Sequence, residues 1–468
     1  MADPRRPARR SGGRPPTPRR AADAPRLAAY EVLKAVRLDD AYANLVLPKI
    51  LREHGLTGRD AAFATELASG TTRRQGTYDA IITACLDRPK VEAKVLDVLR
   101  LGTHQLLSMR VPVHAAISTS VDLVRATVGQ GPAGFTNAVL RRVAEHDLDS
   151  WVRRVAPDPV RDPLGFASVA HSHPRWVVGG LRDALGPDGD LDALLAADNL
   201  APKVMLVARP GLASVEELVA AGGTRARLSP YAVELGGGDP AEIAAVAEGR
   251  AGVQDEGSQL VALALARAPL DGRDELWLDL CAGPGGKSAL LAALAAERGA
   301  ALLANERQHH RAQLVARGTA AARAGMLGVV TGDGTRPPWR EGTFDRVLVD
   351  APCSGLGALR RRPESRWRRT PGDVKELVPL QRALLASALG SVRPGGIVAY
   401  ATCSPLLPET AEIVGAALAE YDVEPVDVAA ALPGVPDAAG PLPGTLQLWP
   451  HLHGTDAMFV ALLRRPPG

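Results

Sequence analysis

Two short stretches each set a cysteine at the end of an apolar run. Asp350-Ala351-Pro352-Cys353-Ser354-Gly355 follows Arg346–Val349, and Thr402-Cys403-Ser404-Pro405 follows Ile397–Ala401. A third stretch, Asp279-Leu280-Cys281-Ala282-Gly283-Pro284-Gly285-Gly286-Lys287-Ser288, is preceded by Leu276-Trp277-Leu278 and followed by an Ala/Leu-rich helical pattern. Strand, glycine turn, helix is where an α/β sheet presents bare backbone to a ligand. Gly283, Gly285 and Gly286 lack a Cβ, so the chain can turn sharply and lie close to a cofactor. The free N–H groups of the new helix favour negative charge.

The residues separate the ligand classes that use such a turn. A nucleoside-triphosphate loop needs a leading glycine five residues ahead of Gly286, and Cys281 stands there. A dinucleotide turn needs G-x-G-x-x-G, which Gly283 to Gly286 does not supply. What remains is the turn of S-adenosylmethionine enzymes, with Asp279 at the strand end, or a tight connection that holds no ligand. Glu306 follows the next strand, where an acid can accept hydrogen bonds from both ribose hydroxyls of a nucleoside. Asp333 ends the third strand and could meet an adenine amino group. Taken singly, these two read equally as a helix-start acid and a turn residue. Strand C-termini gather on one side of such a sheet, so Asp279, Glu306, Asp333 and Asp350 are expected to converge there.

Two cysteines at the mouth of such a site suggest one chemistry. Carbon 5 of a pyrimidine is a poor nucleophile. A thiolate adding to carbon 6 makes it enamine-like and able to take a methyl group; a base then removes its hydrogen and the thiolate is expelled. A second thiol can help that release, and an Asp can hydrogen-bond the ring. Spacing leaves open whether Cys353 or Cys403 attacks. Arg360, Arg361, Arg362, Arg366, Arg368 and Arg369, with Trp367 among them, suit a flipped-out base and its phosphates.

The elements that must position these residues follow from patterning. The chain has 468 residues, 46% of them hydrophobic, and a net charge of +3, too mild to argue nucleic-acid binding alone. Its four cysteines form no C-x-x-C, so neither a disulfide framework nor a metal site is expected. No signal-peptide pattern or membrane-length apolar run is present, which predicts a soluble, reduced, cytoplasmic protein; it is expected to act as a monomer. Residues 1–24 are Arg- and Pro-rich and read as a disordered basic tail. Residues 25–148 carry helical periodicity throughout and read as an all-α domain, whose scattered arginines could face RNA or solvent. Residues 149–252 read as linker helices and a small α/β subdomain with strands at Val204–Val207 and Tyr231–Leu235. From 253 to 468 strands and helices alternate as in a doubly wound, Rossmann-like parallel sheet, with an antiparallel pair at the tail.

With these motifs in place the chain resembles the RNA cytosine-5 methyltransferases, of the bacterial small-subunit ribosomal RNA methyltransferase B (Sun/Fmu) type. The resemblance rests on the loop Cys281–Lys287, the two cysteine motifs, Glu409 after the second, and Val253-Gln254-Asp255-Glu256-Gly257-Ser258 at the entry. It implies a class I S-adenosylmethionine-dependent methyltransferase domain behind a NusB-like RNA-binding helical domain, with 16S ribosomal RNA as partner. It also implies that Cys403 attacks, Cys353 assists release and Asp350 hydrogen-bonds the base. The cofactor would contact Cys281, Ala282, Gly283, Pro284, Gly285, Gly286, Lys287, Glu306, Asp333 and Asp350. The competing readings are an RNA-binding module with a degenerate enzyme domain, and a nucleoside triphosphatase using Gly286-Lys287-Ser288.

Overall fold

A computed structural model describes residues 22–87 and 90–467. The basic tail expected over residues 1–24 lies, save its last three positions, outside the described residues. The helical region that follows contains α1 Ala24–Leu38, α2 Ala43–Glu53, α3 Gly58–Arg73, α4 Gln75–Ala84, α5 Ala93–Leu107, α6 Val113–Thr127, α7 Ala133–Val143 and α8 Leu148–Val155. Asp23 starts α1 by accepting from the Arg26 N–H, and Pro25 fits the first turn because it has no N–H to satisfy. Helix α5 is the hub: its buried Val98, Leu99 and Leu101 pack among α1, α3, α4, α6 and α7. Full burial of each such side chain contributes about 1.5–3 kcal/mol.

Helices α9 Pro163–Ala170, α10 Arg175–Leu185 and α11 Leu191–Ala197 lead to a four-stranded antiparallel sheet. Its strands are β1 Val204–Ala208, β2 Gly223–Arg225, β3 Ala232–Leu235 and β4 Ala251–Val253, in the order β2-β3-β1-β4. Two of these, β1 and β3, match the expected strands. The other two are three residues long, too short to display an alternation that sequence can reveal.

The C-terminal part is a doubly wound sheet. Strands β5 Leu276–Asp279, β6 Ala301–Glu306, β7 Met326–Thr331, β8 Phe344–Asp350 and β9 Val392–Thr402 are parallel. Strands β10 Glu424–Val426, β11 Leu446–Gln447 and β12 Phe459–Arg464 add antiparallel pairings, giving β10-β12-β9-β8-β5-β6-β7 with β11 on β12. Around it lie α14 Glu256–Arg267, α15 Gly286–Glu297, α16 His309–Thr319, α17 Ser365–Arg368, α18 Pro371–Ser391 and α19 Ala411–Glu420, after α12 Val215–Ala220 and α13 Ala244–Ala247 of the smaller sheet.

Successive side chains of the large sheet point to opposite faces. Trp277, Leu302, Leu348 and Ile397 pack with residues of α14 and α15, while Leu278, Val347, Val349, Val398 and Tyr400 pack with α18 and α19. Burial on both faces explains why these strands read as continuous apolar runs. The strand order reverses at β5, so the crevice beyond its C-terminal end is the ligand position that topology dictates. Among the described residues, no helix is long and apolar enough to cross a membrane.

Candidate active site

The turn after β5 is tied down from three sides. The Gly283 N–H donates to Glu306 Oε2 at 3.1 Å, and Arg311 Nη2 donates to the Gly283 carbonyl at 2.6 Å. A Cβ on Gly283 would collide with the Glu306 carboxylate. Gly285 has φ +110°, and a Cβ there would come within 2.9 Å of the Val315 backbone on α16. Asn305, which the sequence reading passed over, joins three strand ends. Its buried amide nitrogen donates to the Leu280 carbonyl at 2.9 Å and the Gly332 carbonyl at 3.2 Å. Its Oδ1 is buried and has no partner among the described residues. A polar side chain at the end of a buried strand was the signal that could have found it.

The crevice is a cavity of about 480 Å³. Cys281, Gly283, Pro284, Glu306, Asp333, Asp350, Cys353 and Cys403 all line it. Ala282, Gly285, Gly286 and Lys287 do not reach its wall. Three of the four acids expected to converge do so. Asp279 instead lies behind the wall, 1% exposed, where its carboxylate accepts from Ser288 Oγ at 2.6 Å and pins the start of α15. Burial raises its pKa to about 7, Ser288 opposes that rise and the charge of Asp350 adds to it. Asp333 is exposed; the Thr335 hydroxyl and N–H donate to it and hold its pKa below the ordinary carboxylate value.

Lys287 Nζ donates to Asp350 Oδ2 at 2.9 Å. Burial works against the ammonium charge, but Asp350 outweighs it and the Lys287 pKa lies above its usual value. With Lys287 held by Asp350 and Ser288 by Asp279, the two side chains that a triphosphatase needs are already engaged within the protein.

Strands β8 and β9 are parallel neighbours, with Asp350 opposite Ala401. Their ends therefore bring the two cysteines together, Sγ to Sγ at 3.5 Å. The hydrogen bond from the Cys353 thiol lowers the Cys403 pKa against the effect of burial, and the charge of Lys287 helps. Cys353 is pushed up by the same bond and by burial.

Glu409, fully buried, clamps the two motifs. It accepts from the Ser354 N–H at 2.7 Å, Ser354 Oγ at 2.5 Å, Ser404 Oγ at 2.6 Å and Gln381 Nε2 at 3.1 Å. Gly357 closes the loop after Cys353: its N–H donates to the Cys403 carbonyl at 2.8 Å, and a Cβ there would collide with the Ala457 carbonyl. Two thiols in contact, one of them biased toward thiolate beside a Lys–Asp pair, can add to an electron-poor ring and later release it.

The arginine stretch corrects the sequence reading. Arg366 is fully buried and donates to the Ser172 carbonyl at 3.0 Å, Asn199 Oδ1 at 2.8 Å and the Asp198 carbonyl at 3.2 Å. Arg368 donates to carbonyls of Val36, Asp40 and Ala41. Arg361 pairs with Asp255 at 2.6 Å and Asp456 at 3.2 Å, and Arg360 donates to the Gly454 carbonyl at 2.8 Å. Trp367 packs against Gly76 of α4. Arg366, Arg368 and Trp367 therefore dock the N-terminal helices on the large-sheet part, Arg360 and Arg361 pair within that part, and Arg362 and Arg369 line the cavity. Charge density in sequence could not distinguish buried guanidinium anchors from an exposed basic face.

Residues 265–464 match the 16S rRNA methyltransferase RsmB/F family, and residues 23–145 match the NusB family. A Mycobacterium tuberculosis chain described only as a methyltransferase is 52% identical over 96% of this chain and 98% of its own length. Ribosomal RNA small subunit methyltransferase B of Pseudomonas putida is 33% identical over 84% of this chain and 89% of that one. The crystal structure of PH0851 has the same fold, with a TM-score of 0.76, 22% identity, and 94% of this chain and 98% of that chain covered. With its thiol pair, its glycine turn and these relatives, the chain belongs to the RsmB/F family of 16S rRNA methyltransferases, with a NusB-family region ahead of the catalytic sheet.

Proposed function

We propose that the protein transfers a methyl group from S-adenosylmethionine to carbon 5 of a cytosine in 16S ribosomal RNA through a covalent Cys403–cytosine intermediate. The observation that carries this reading is the 3.5 Å approach of Cys353 and Cys403 on the wall of the cavity that the glycine turn also lines. S-adenosylmethionine fits the residues present: Glu306 and Asp333 offer carboxylates to a nucleoside, and Asn305 Oδ1 is a buried acceptor without a partner among the described residues. Cys281, Gly283, Pro284, Glu306, Asp333 and Asp350 would hold it, with Ala282, Gly285, Gly286 and Lys287 shaping the turn from behind. When bound, it supplies an electrophilic methyl group on a sulfonium.

The Cys403 thiolate adds to carbon 6, and the ring's electron pair moves to carbon 5. Asp350, steadied by Lys287, hydrogen-bonds the ring while that charge develops. Once carbon 5 carries its methyl group, a base takes the carbon-5 proton, the freed electron pair restores the double bond to carbon 6, and Cys403 leaves as thiolate. Cys353, 3.5 Å away, gives its proton to the departing thiolate. In this reading the protein works as a cytoplasmic monomer, built as 25–148, 149–252 and 253–468 behind a basic tail over 1–24.

Incubation with labelled S-adenosylmethionine and a 16S transcript tests it. Cys403→Ala should lose methyl transfer while keeping cofactor affinity, and Cys353→Ala should trap a protein–RNA adduct. An adduct with Cys403→Ala instead would reverse the roles, and labelling at a position other than carbon 5 of cytosine would overturn the reading.

A further inference from the structure

Tyr42, at the start of α2 in the helical region, lines the same cavity as Cys353 and Cys403. The guanidinium of Arg362 lies 4.7 Å from the centre of its ring, and that of Arg368 lies 5.3 Å away. The two arginines differ in what else they do. Arg368 donates to three backbone carbonyls around the Tyr42 loop, among them Asp40 at 2.8 Å. Arg362 is exposed at the cavity mouth, and among the described residues its guanidinium donates to no protein acceptor.

A guanidinium stacked on an aromatic ring uses its face, which leaves its in-plane N–H groups free in the fork that matches a phosphate. The platform is also preset. The Ala43 N–H, next to Tyr42, donates to Glu364 Oε1 at 3.1 Å, so Glu364 and Arg368 hold the loop from both sides.

We propose that Arg362, held over Tyr42, binds a backbone phosphate of the RNA beside the target nucleotide. The helical region thereby completes the catalytic pocket and sets the register of the strand, beyond serving as a separate RNA-binding unit. This rests on the methyltransferase reading above. Tyr42 is then a positioning residue and Arg362 a substrate-binding one.

The test uses the full chain and a 16S transcript, with methylation kinetics and direct RNA binding measured over a range of salt. Arg362→Ala should raise the KM for RNA by about tenfold, while kcat falls less, and lower the slope of log Kd against log salt by about 0.7, the share of one phosphate on a single strand. Arg362→Lys, which keeps charge without the planar fork, should recover the salt slope but only part of the KM. Tyr42→Leu should raise KM, and Tyr42→Phe, which keeps the ring, should raise it far less. An unchanged salt slope in Arg362→Ala overturns the proposal, as does loss of cofactor affinity or thermal stability in step with KM, which marks a structural role. If the unaltered protein methylates no RNA, the enzyme reading fails, and the salt slope of binding still decides the role of Arg362.

Discussion

Cys353 and Cys403 stand 3.5 Å apart because they end neighbouring parallel strands. That contact biases the pair in opposite directions: it raises the Cys353 pKa and lowers that of Cys403. Pulses of iodoacetamide across a pH series, read by peptide mass spectrometry, should modify Cys403 at lower pH than Cys85, which burial pushes up to about 11. Cys353→Ala removes the donor and should move the Cys403 profile upward. Identical profiles in the two forms would show that the contact does not tune Cys403.

Glu409 is the shared acceptor that keeps the two cysteine motifs in register. In Glu409→Gln an amide NH2 replaces one of the oxygens that these donors address, and a buried group left unpaired costs about 1–3 kcal/mol. If that strain falls on the thiol pair, single-turnover methylation should slow by about tenfold or more, since 1.36 kcal/mol is a factor of ten. Calorimetry should find cofactor affinity little changed. Unaltered turnover would remove Glu409 from the positioning machinery.

Arg366 joins α11 and its following turn to the 172–173 segment and to the C-terminal end of α3, from the catalytic side of the molecule. Its removal leaves the buried Ser172 and Asp198 carbonyls and Asn199 Oδ1 without their donor. Arg366→Ala should lower the unfolding free energy by about 2–4 kcal/mol, since each buried acceptor left unpaired costs about 1–3 kcal/mol before relaxation. Urea denaturation checks this. A loss below about 1 kcal/mol, the scale of surface ion pairs, would place Arg366 outside the load path between the two regions.

Asp279 sets a pH dependence with a definite sign. Its pKa rises from 3.8 to about 7 on folding, so the native state binds the proton more tightly than the unfolded chain does. The contribution is full below the unfolded value and is lost as pH rises through the folded value. Unfolding free energy should therefore fall between pH 4 and pH 7 on account of this group. Asp198 is raised to about 7 and Asp456 to about 6, with burial the leading cause, and both act in the same direction. Asp279→Asn should flatten the profile without abolishing the slope. His104 and His173, held below the ordinary imidazole value by burial, act in the opposite direction, so the difference decides: an Asp279→Asn profile parallel to that of the unaltered protein would contradict the buried, protonated state.

The sequence by itself determined the alternation of strands and helices, the glycine turn and the two cysteine motifs. These are local: an apolar run, a residue without a Cβ, or a thiol beside a strand end is legible wherever it occurs. Only the tertiary structure decided which groups meet. Asp279 and Asp350 look alike at their strand ends, yet one is buried against Ser288 and the other faces the cavity. Arg362 and Arg366 belong to one basic run, yet one is exposed over Tyr42 and the other is sealed between two regions of the chain. Burial and partnership arise between residues far apart in sequence. Tyr42, Asn305 and Glu409 acquired their positions only when the sheet and the helical region closed on them.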